Sequence, residues 1–143
     1  MKGILRGLTE SSAATDPASP DARLVGRTYA IPFDSVWNAA RQLADGELRG
    51  WTITRADDLA GVIIASRKAL LFGQQDDVNI DIGLDQNAQT RVDVRSASHS
   101  RRPDLGRNRR AIGRFLRKLD RRLEARPEQI LDATRVSAWI EST

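Results

Sequence analysis

The chain is 143 residues long, with 40% hydrophobic and 29% charged residues and a formal net charge of +4. This length fits one domain with one hydrophobic core, and no apolar run approaches the roughly 20 residues that span a bilayer. Zero cysteines and a single histidine exclude a disulfide scaffold, a thiol nucleophile, a thiolate metal site and an all-histidine metal cage. We therefore expect no metal and no cofactor, and the start of the chain lacks a signal-peptide pattern, which predicts a cytoplasmic location.

Charge is distributed unevenly along the chain. Residues 95–126 contain twelve Arg or Lys and three Asp or Glu, a net charge of +9, which leaves −5 for the remainder. Such an asymmetry favours either an anionic partner or an acidic body that balances a basic helix.

The N-terminal part predicts a tail followed by a strand and a helix. Residues 9–22 are rich in Ser, Ala, Thr, Asp and Pro without an apolar period, so residues 1–23 are predicted to be a flexible tail and residues 24–143 a single domain. Arg27–Ile31 is a strand candidate that Pro32 closes. Asp34 or Ser35 is a candidate N-cap for the first helix, and Gly50 is predicted to end it.

Four further segments predict strands. Trp51–Thr54 and Val62–Ile64 are short, whereas Asp76–Asp85 and the segment around Val92 and Val94 alternate apolar and polar residues. Strict alternation is typical of a sheet with one buried and one exposed face. The predicted fold is α+β: an antiparallel sheet of about five strands, packed on one face by two main helices, in β-α-β-β-β-β-α order.

The second helix has the clearest pattern. Its apolar face comprises Leu105, Asn108, Ile112, Phe115, Leu116, Leu119 and Leu123. Its basic face comprises Arg107, Arg110, Arg114, Arg117, Lys118 and Arg121. After Pro127, residues Ile130–Ile140 are predicted to form a short last helix.

Two acidic neighbours raise the possibility of acid–base chemistry. Asp76 and Asp77 would form a catalytic carboxylate pair only if they shared a site. Successive strand residues point to opposite faces of a sheet, so a structural role is favoured. His99, in a loop between Ser98 and Ser100, has no orienting acid nearby in sequence, and no catalytic residue is assigned.

The segment from Arg95 to Asn108 is the most informative stretch. It runs from a strand end through a basic loop into a helix, where backbone N–H groups with Arg and Ser nearby suit an anion. The competing interpretation is a structural clasp, in which Asp104 caps the helix and pairs with Arg95. Gly106 would then allow a close approach of helix to sheet, and Asn108 would need a buried partner. The clasp is favoured, and the anion pocket stays open.

The basic face of the second helix also suits phosphates of a nucleic acid or an anionic membrane. No aromatic residues interleave with it, and neither GxGxxG nor GxxxxGK occurs in the chain. Nucleic-acid or membrane binding is therefore the less favoured interpretation.

Three segments resemble an uncharacterised family, domain of unknown function 1499. They are Asp76-Asp77-Val78, Val92-Asp93-Val94-Arg95-Ser96-Ala97-Ser98 and Asp104-Leu105-Gly106-Arg107-Asn108. The likeness runs from about Tyr29 to Leu123 and implies no established activity. It marks signature positions that, together with Ser98, are the candidate binding residues: Asp77, Arg95, Ser96, Asp104, Gly106 and Asn108. The element order and the Ile31–Trp37 entry are also similar to lipid- or polyketide-binding helix-grip domains, an analogy at the level of the fold alone.

Three functions compete. The leading hypothesis is a non-enzymatic domain that binds a small molecule or a protein. The second is an adaptor that binds nucleic acid or anionic lipid through the Arg face of residues 107–121. The third is a helix-grip-like binder of hydrophobic ligands, or a cyclase or hydrolase that uses Asp77, Arg95 and His99. Sequence leaves the ligand, the partner and the oligomeric state open.

Overall fold

The structure is a computed structural model that describes residues 12–68, 73–99 and 106–131. Within these ranges the chain forms six strands: β1 (Ser12–Ala14), β2 (Arg27–Tyr29), β3 (Trp51–Asp57), β4 (Val62–Lys68), β5 (Gln75–Leu84) and β6 (Thr90–Ser98). Its two main helices are α1 (Phe33–Gln42) and α2 (Arg107–Arg122). The predicted α+β class with two main helices is confirmed.

The described strands form one antiparallel sheet. β1, β6, β5, β4 and β3 lie side by side in that order, and β2 pairs with the first part of β6 while β1 pairs with its last part. The register aligns Arg67 of β4 with Asp76 of β5, and Asp76 with Ser98 of β6. Three polar residues therefore form one row across the end of the sheet.

Alternation along β5 buries one face of the sheet. Val78, Ile80 and Ile82 are buried, whereas Asp81 between them is exposed. The alternation of Asp76–Asp85 predicts Leu84 on the same buried face, but Leu84 is 61% exposed because the strand ends there at the hairpin to β6. Strict alternation of apolar and polar residues predicts a strand with the hydrophobic core on one side only, and the burial pattern of Gln75–Ile82 confirms that prediction.

Both helices cover the buried face. On α2, the residues Ile112, Phe115, Leu116 and Leu119 are almost completely buried, as the spacing of three and four residues predicts. α2 lies against β1 and β6, α1 lies against β5, and the two helices contact each other. The ring of Phe115 stacks on Trp51 of β3 with ring centroids 5.5 Å apart. This contact also joins α2 to β3, the strand at the opposite edge of the sheet from β1.

A buried ion pair fixes the C-terminal part of the long helix. The Nε and Nη2 groups of Arg27 donate to the Asp120 carboxylate at 3.0–3.1 Å, and the Tyr29 hydroxyl donates to it at 2.6 Å. Arg27 and Tyr29 lie on β2 and Asp120 on α2. This cluster therefore fixes which face of α2 is turned toward the sheet.

The described end of the predicted tail is ordered. Ser12–Ala14 pairs with Arg95–Ala97 of β6, and Ala13 is 1% exposed. Thr15 extends the contact, since its hydroxyl donates to Asp93 at 2.8 Å. Residues 1–23, predicted to be a flexible tail, therefore include a strand at Ser12–Ala14. The composition carries little signal for this strand, because it buries one small apolar residue, Ala13, and pairs with β6 through its backbone.

The helix starts differ from the predicted ones. α1 begins at Phe33 with Pro32 as N-cap, so neither Asp34 nor Ser35 is the cap; Asp34 lies in the first turn, where its charge suits the helix dipole. The N-cap of α2 is Gly106, whose φ of +82° is the left-handed region that favours glycine. Among the described atoms, only Arg110 Nη1 lies within 4 Å of a Cβ built at Gly106, so this glycine serves the turn and not a close approach to the sheet.

After Gln42, α1 passes into a wider helical turn, Leu43–Glu47, and so ends before the predicted stop at Gly50. Near the other end of the chain, a short 3-10 turn spans Pro127–Gln129. Ile130 then forms an isolated antiparallel bridge with Tyr29, so the described start of the predicted last helix is extended. The remainder of that prediction, from residue 132 to 140, lies outside the described residues. No helix in the described ranges is long and apolar enough to cross a membrane.

We expect Gly61→Ala to destabilise the sheet through a steric clash. Gly61 has a φ of +71°, its carbonyl accepts the Ile82 N–H at 2.7 Å, and a Cβ there would lie 2.0 Å from the Ile82 oxygen. The left-handed backbone costs about 1–2 kcal/mol, and overpacking adds about 1–3 kcal/mol. Gly46→Ala is the matched control, because Gly46 also has a positive φ but nothing within 4 Å. Urea unfolding should show a clearly larger loss for Gly61→Ala; equal losses would contradict the clash.

Candidate functional site

A buried carboxylate lies at the end of the sheet where β4, β5 and β6 meet α2. Asp76 has a fully buried side chain, and ion pairs join it to Arg67 of β4 and to Arg107 of α2. Arg107 Nη2 lies 2.7 Å from Asp76 Oδ1, and its Nε lies 3.3 Å from Oδ2. One carboxylate thus binds two guanidinium groups from different elements.

Two serines extend this cluster along β6. Arg107 Nη2 and Asn108 Nδ2 both donate to Ser98 Oγ, at 2.8 and 3.0 Å, and Ser96 Oγ donates to Asn108 Oδ1 at 2.5 Å. Asn108 is fully buried, so these bonds supply the partners that its position on the apolar helix face requires. We call the set of Arg67, Asp76, Ser96, Ser98, Arg107 and Asn108 the corner network.

The corner network keeps Asp76 ionised. Burial alone raises the pKa of a carboxyl group, but the hydrogen bond from Arg107, the charge of Arg67 and the contact with Ser98 outweigh it. The pKa of Asp76 therefore lies below its ordinary value. At neutral pH the site contains a carboxylate enclosed by two cations.

The structure separates several residues that the sequence grouped. Asp77, a predicted signature position, points to the exposed sheet face with 65% of its side chain accessible, and its neighbour Asp76 occupies the network instead. Arg95 is exposed too, since it alternates with the buried Ser96. Arg95 and Ser96 thus face opposite sides of the sheet and cannot border one pocket. Asp104 and the predicted Arg95–Asp104 pair lie outside the described residues.

The residues of the hydrolase hypothesis share the exposed sheet face. Asp77 Oδ1 lies 3.0 Å from His99 Nε2, and both side chains are half-exposed or more. Arg95 is on the same face, two register positions along β6 from the partner of Asp77. An exposed face does not exclude water, and the geometry therefore gives this trio no protected site for chemistry.

A cleft of about 470 Å³ runs along the outer side of α2, next to the corner network. Six of the described arginines and Ala111 line it: Arg23, Arg67, Arg107, Arg110, Arg114 and Arg117. None of the described lining residues carries a carboxylate. We call this cavity the arginine cleft.

Local structure explains how so many cations meet there. Arg107, Arg110, Arg114 and Arg117 come from successive turns of α2 and cover about 15 Å of its length at 1.5 Å per residue. Arg67 reaches the cleft from β4, on the side of the corner network. Arg23 comes from the other direction, with its aliphatic stem packed where Gly113 leaves space.

Among the described residues, carboxylates behind the cleft hold the guanidiniums of Arg23, Arg67 and Arg107. Asp76 binds Arg67 and Arg107, as described above, and Asp21 binds Arg23 through Nε at 3.1 Å and Nη2 at 2.9 Å. Burial raises the pKa of Asp21, but the hydrogen bonds from the Arg23 side chain and backbone outweigh it and lower the pKa overall. The same side-chain hydrogen bond raises the pKa of Arg23. These arginines are therefore both charged and fixed in position.

The sequence identified only part of the arginine cleft. Arg107, Arg110, Arg114 and Arg117 belong to the predicted basic face, whereas Lys118 and Arg121 of that face do not line the cleft. Arg23 and Arg67 lie at least 40 residues before the helix along the chain, and no local pattern could join them to it. The alternation of β5 does identify Asp76 as a buried residue, because Asp76 lies on the same face of the strand as the apolar Val78 and Ile80.

Comparison with known proteins places the chain in a family. The model of the family described as Protein of unknown function (DUF1499) matches residues 9–119. The chain belongs to this family. The matched region includes the β1 strand and most of α2, and so contains both the corner network and the arginine cleft. No curated protein and no solved structure matches the chain. Within the described ranges, no cluster of His, Asp or Glu could hold a metal ion.

We expect Asp76→Asn to lower the free energy of unfolding by about 3 kcal/mol or more, because it leaves two guanidiniums without their buried counter-charge. Asp77→Asn is the matched control: it makes the same chemical change one residue away, on the exposed face, where the expected change is within about 0.5 kcal/mol. Urea unfolding at pH 7 measures both. Similar losses in the two variants would show that Asp76 has no special role.

The stabilisation by Asp76 should also depend on pH. Because its folded-state pKa is lowered, the contribution is complete above the unfolded value of about 3.9 and is lost as the pH falls through the folded value. The stability difference between wild type and Asp76→Asn should therefore be largest near pH 7 and should shrink as the pH is lowered below about 4. A difference that stayed constant down to pH 2 would contradict the ion pairing.

Proposed function

We propose that the protein is a binding domain for a phosphate-bearing anion, which occupies the arginine cleft. The observation that carries this proposal is the convergence of six described arginine side chains on one cavity of about 470 Å³. Cavities that bind small molecules usually measure about 300–1,000 Å³, so the size suits a small ligand.

Charge gives the physical reason. Six guanidiniums close together repel one another, and a negative charge placed among them is attracted by all six. A bound phosphate would accept several charge-assisted hydrogen bonds there. Phosphate suits this environment better than a single carboxylate, because it carries more charge and more acceptor oxygens for the planar guanidinium fork.

Binding is proposed in preference to catalysis because of the side chains that line the cleft. Guanidinium groups stay protonated at neutral pH and act as neither general acids nor general bases. Asp76 is enclosed by Arg67 and Arg107, and its lowered pKa keeps it ionised, so it does not suit proton donation. The chemistry that this site offers is recognition of negative charge.

The adaptor hypothesis uses the same helix in a different way. A nucleic acid or an anionic membrane would contact the whole basic face, including Arg121 beyond the cleft, and not the cavity that Arg23 and Arg67 help to form. The two hypotheses therefore differ in which arginines matter. This difference decides the design of the test.

Titration calorimetry with inorganic pyrophosphate tests the proposal. We expect one site per chain, binding that weakens as salt is raised, and an affinity reduced about tenfold or more in Arg114→Glu, because a charge-assisted hydrogen bond contributes about 1.5–3 kcal/mol. Arg121→Glu makes the same charge change on the same helix outside the cleft, and should alter the affinity no more than about twofold.

Two outcomes would overturn this function. If wild type binds no pyrophosphate at low salt, the cleft is not an anion site. If Arg114→Glu and Arg121→Glu weaken binding equally, general attraction to the helix face explains the result, which favours the adaptor hypothesis.

A further inference from the structure

The arginine cleft is anchored on one side of α2 by Asp76. This carboxylate binds Arg107 of α2 and Arg67 of β4. Arg67 lines the cleft together with Ala111, which follows Arg107 by four residues. Residues four positions apart lie on the same side of a helix, so Arg107 and Ala111 mark this side of α2. We call it the Asp76 side of the cleft.

A second carboxylate anchors the cleft on another side of the helix. Asp21 binds Arg23, and Arg109 Nη1 lies 3.4 Å from the same carboxylate. A Cβ built at Gly113 would lie 3.3 Å from the stem of Arg23, so this stem packs against α2 at Gly113. Because Gly113 follows Arg109 by four residues, both contacts mark one side of the helix. We call it the Asp21 side of the cleft.

The outer surface of α2 separates these two sides. From Ala111 to Gly113 the helix turns about 200° by way of the buried Ile112, which leaves about 160° on the solvent-facing surface. A helix with its side chains is about 10–12 Å wide, so the guanidiniums anchored on the two sides are roughly 10 Å apart. The exposed side chains of α2 that line the cleft between them are Arg110, Arg114 and Arg117.

A single phosphate is too small to bind both sides. A hydrogen bond joins atoms about 2.9 Å apart, so two such bonds with one phosphate between them fall short of roughly 10 Å. The carboxylates also oppose a movement of the two sides toward each other, because Arg67 and Arg23 would have to give up their ion pairs. One phosphate therefore leaves one side of the cleft unused.

Resting on the proposed function, we infer that the ligand is a small organic bisphosphate, with one phosphate bound on the Asp76 side of the cleft and the other on the Asp21 side. On the Asp21 side, Arg23 uses Nε and Nη2 for Asp21, and the hydrogen bonds among the described residues leave its Nη1 to a ligand. The spacer between the phosphates crosses the outer face of α2. The two anchored sides thus determine the separation of the phosphates, roughly 10 Å.

The test is a series of bisphosphates whose phosphates are joined by ethylene glycol chains of increasing length. These spacers are polar, so their length changes the separation of the charges without adding an apolar group. We expect titration calorimetry to show a maximum in affinity near a separation of roughly 10 Å, about tenfold or more above the glycol monophosphate of the same length. An affinity without a maximum, or equal to that of the monophosphate at every length, would overturn the inference.

Pyrophosphate separates this inference from the proposed function. Its two phosphates are adjacent and cannot reach both sides, and its charge opposes the entry of a second molecule, so one pyrophosphate per chain is still expected. Pyrophosphate binding without a maximum in the spacer series would reject the bisphosphate and leave the anion site intact. Failure of both ligands would reject both proposals.

Arg23→Gln removes the guanidinium that anchors the Asp21 side. We expect this variant to lose the maximum and to bind every bisphosphate like the monophosphate, whose own affinity stays within about twofold because the Asp76 side is intact. Arg109→Gln is the matched control, since Arg109 also contacts Asp21 but does not line the cleft. The maximum should persist in Arg109→Gln, and its equal loss in both variants would contradict the assignment.

A melting curve shows whether Arg23→Gln folds. If it does not, Arg117→Gln replaces it, because Arg117 is exposed and follows Gly113 by four residues, which places it on the Asp21 side. This variant should lower the affinity at the maximum and leave that of the monophosphate within about twofold. An unchanged maximum in a folded Arg117→Gln protein would count against the Asp21 side as a phosphate site.

A nucleic acid strand also carries phosphates at regular spacing. A short oligothymidylate distinguishes this source from a free bisphosphate. We expect it to bind no more tightly than the best bisphosphate, and we expect Arg121→Glu to leave the bisphosphate maximum in place, because Arg121 does not line the cleft. Tighter binding of the oligothymidylate, lost in Arg121→Glu, would overturn the inference in favour of the adaptor hypothesis.

Discussion

The carboxylate of Asp76 imposes the constraint on which the rest of the site depends. A buried charge is tolerated only when it is paired and hydrogen-bonded, so Asp76 requires Arg67 from the neighbouring strand and Arg107 from the start of α2. Meeting that requirement fixes where α2 begins relative to the sheet. The Ser96 and Ser98 contacts with Asn108 strengthen the same junction, and the Arg27–Asp120 pair holds the helix farther along.

The arginine cleft follows from this arrangement. Because Arg107 is bound at the first turn of α2, the arginines at the next turns project along one line on the outer side of the helix. Arg67 and Arg23 are held beside them by Asp76 and Asp21. The carboxylates behind the cleft thus stabilise a concentration of positive charge that an unsupported set of arginines would relieve by turning toward solvent. The clasp predicted from the sequence relied on Arg95 and Asp104, whereas the ion pairs found at this junction among the described residues join Asp76 to Arg67 and Arg107.

Periodic patterns made most of the fold predictable. The alternation in β5 and β6 and the spacing of three and four residues in α2 each require a core on one side only, and that requirement is local to each element. The strand β1 escaped prediction because its stability comes from pairing with β6, a partner more than 80 residues away. The same limit applies to the candidate site. Ser96, Ser98 and Asn108 lie in the 95–108 segment that the sequence singles out, whereas Arg23 and Arg67 lie outside it and no local pattern marks them. The family resemblance marks Asp77 as a signature position, whereas the alternation of the strand favours Asp76 as the buried residue, and the structure buries Asp76.

The sequence by itself determined the α+β class, the antiparallel sheet, the basic face of the long helix and the segregation of charge into a +9 segment and a −5 remainder. These follow from composition and short-range periodicity, which act within single elements. Only the tertiary structure decided that Asp76 pairs with Arg67 and Arg107, and that arginines from a turn, a strand and a helix line one cleft. Those facts depend on strand register and on the position of a helix over a sheet. Both are set by contacts between residues that are distant along the chain.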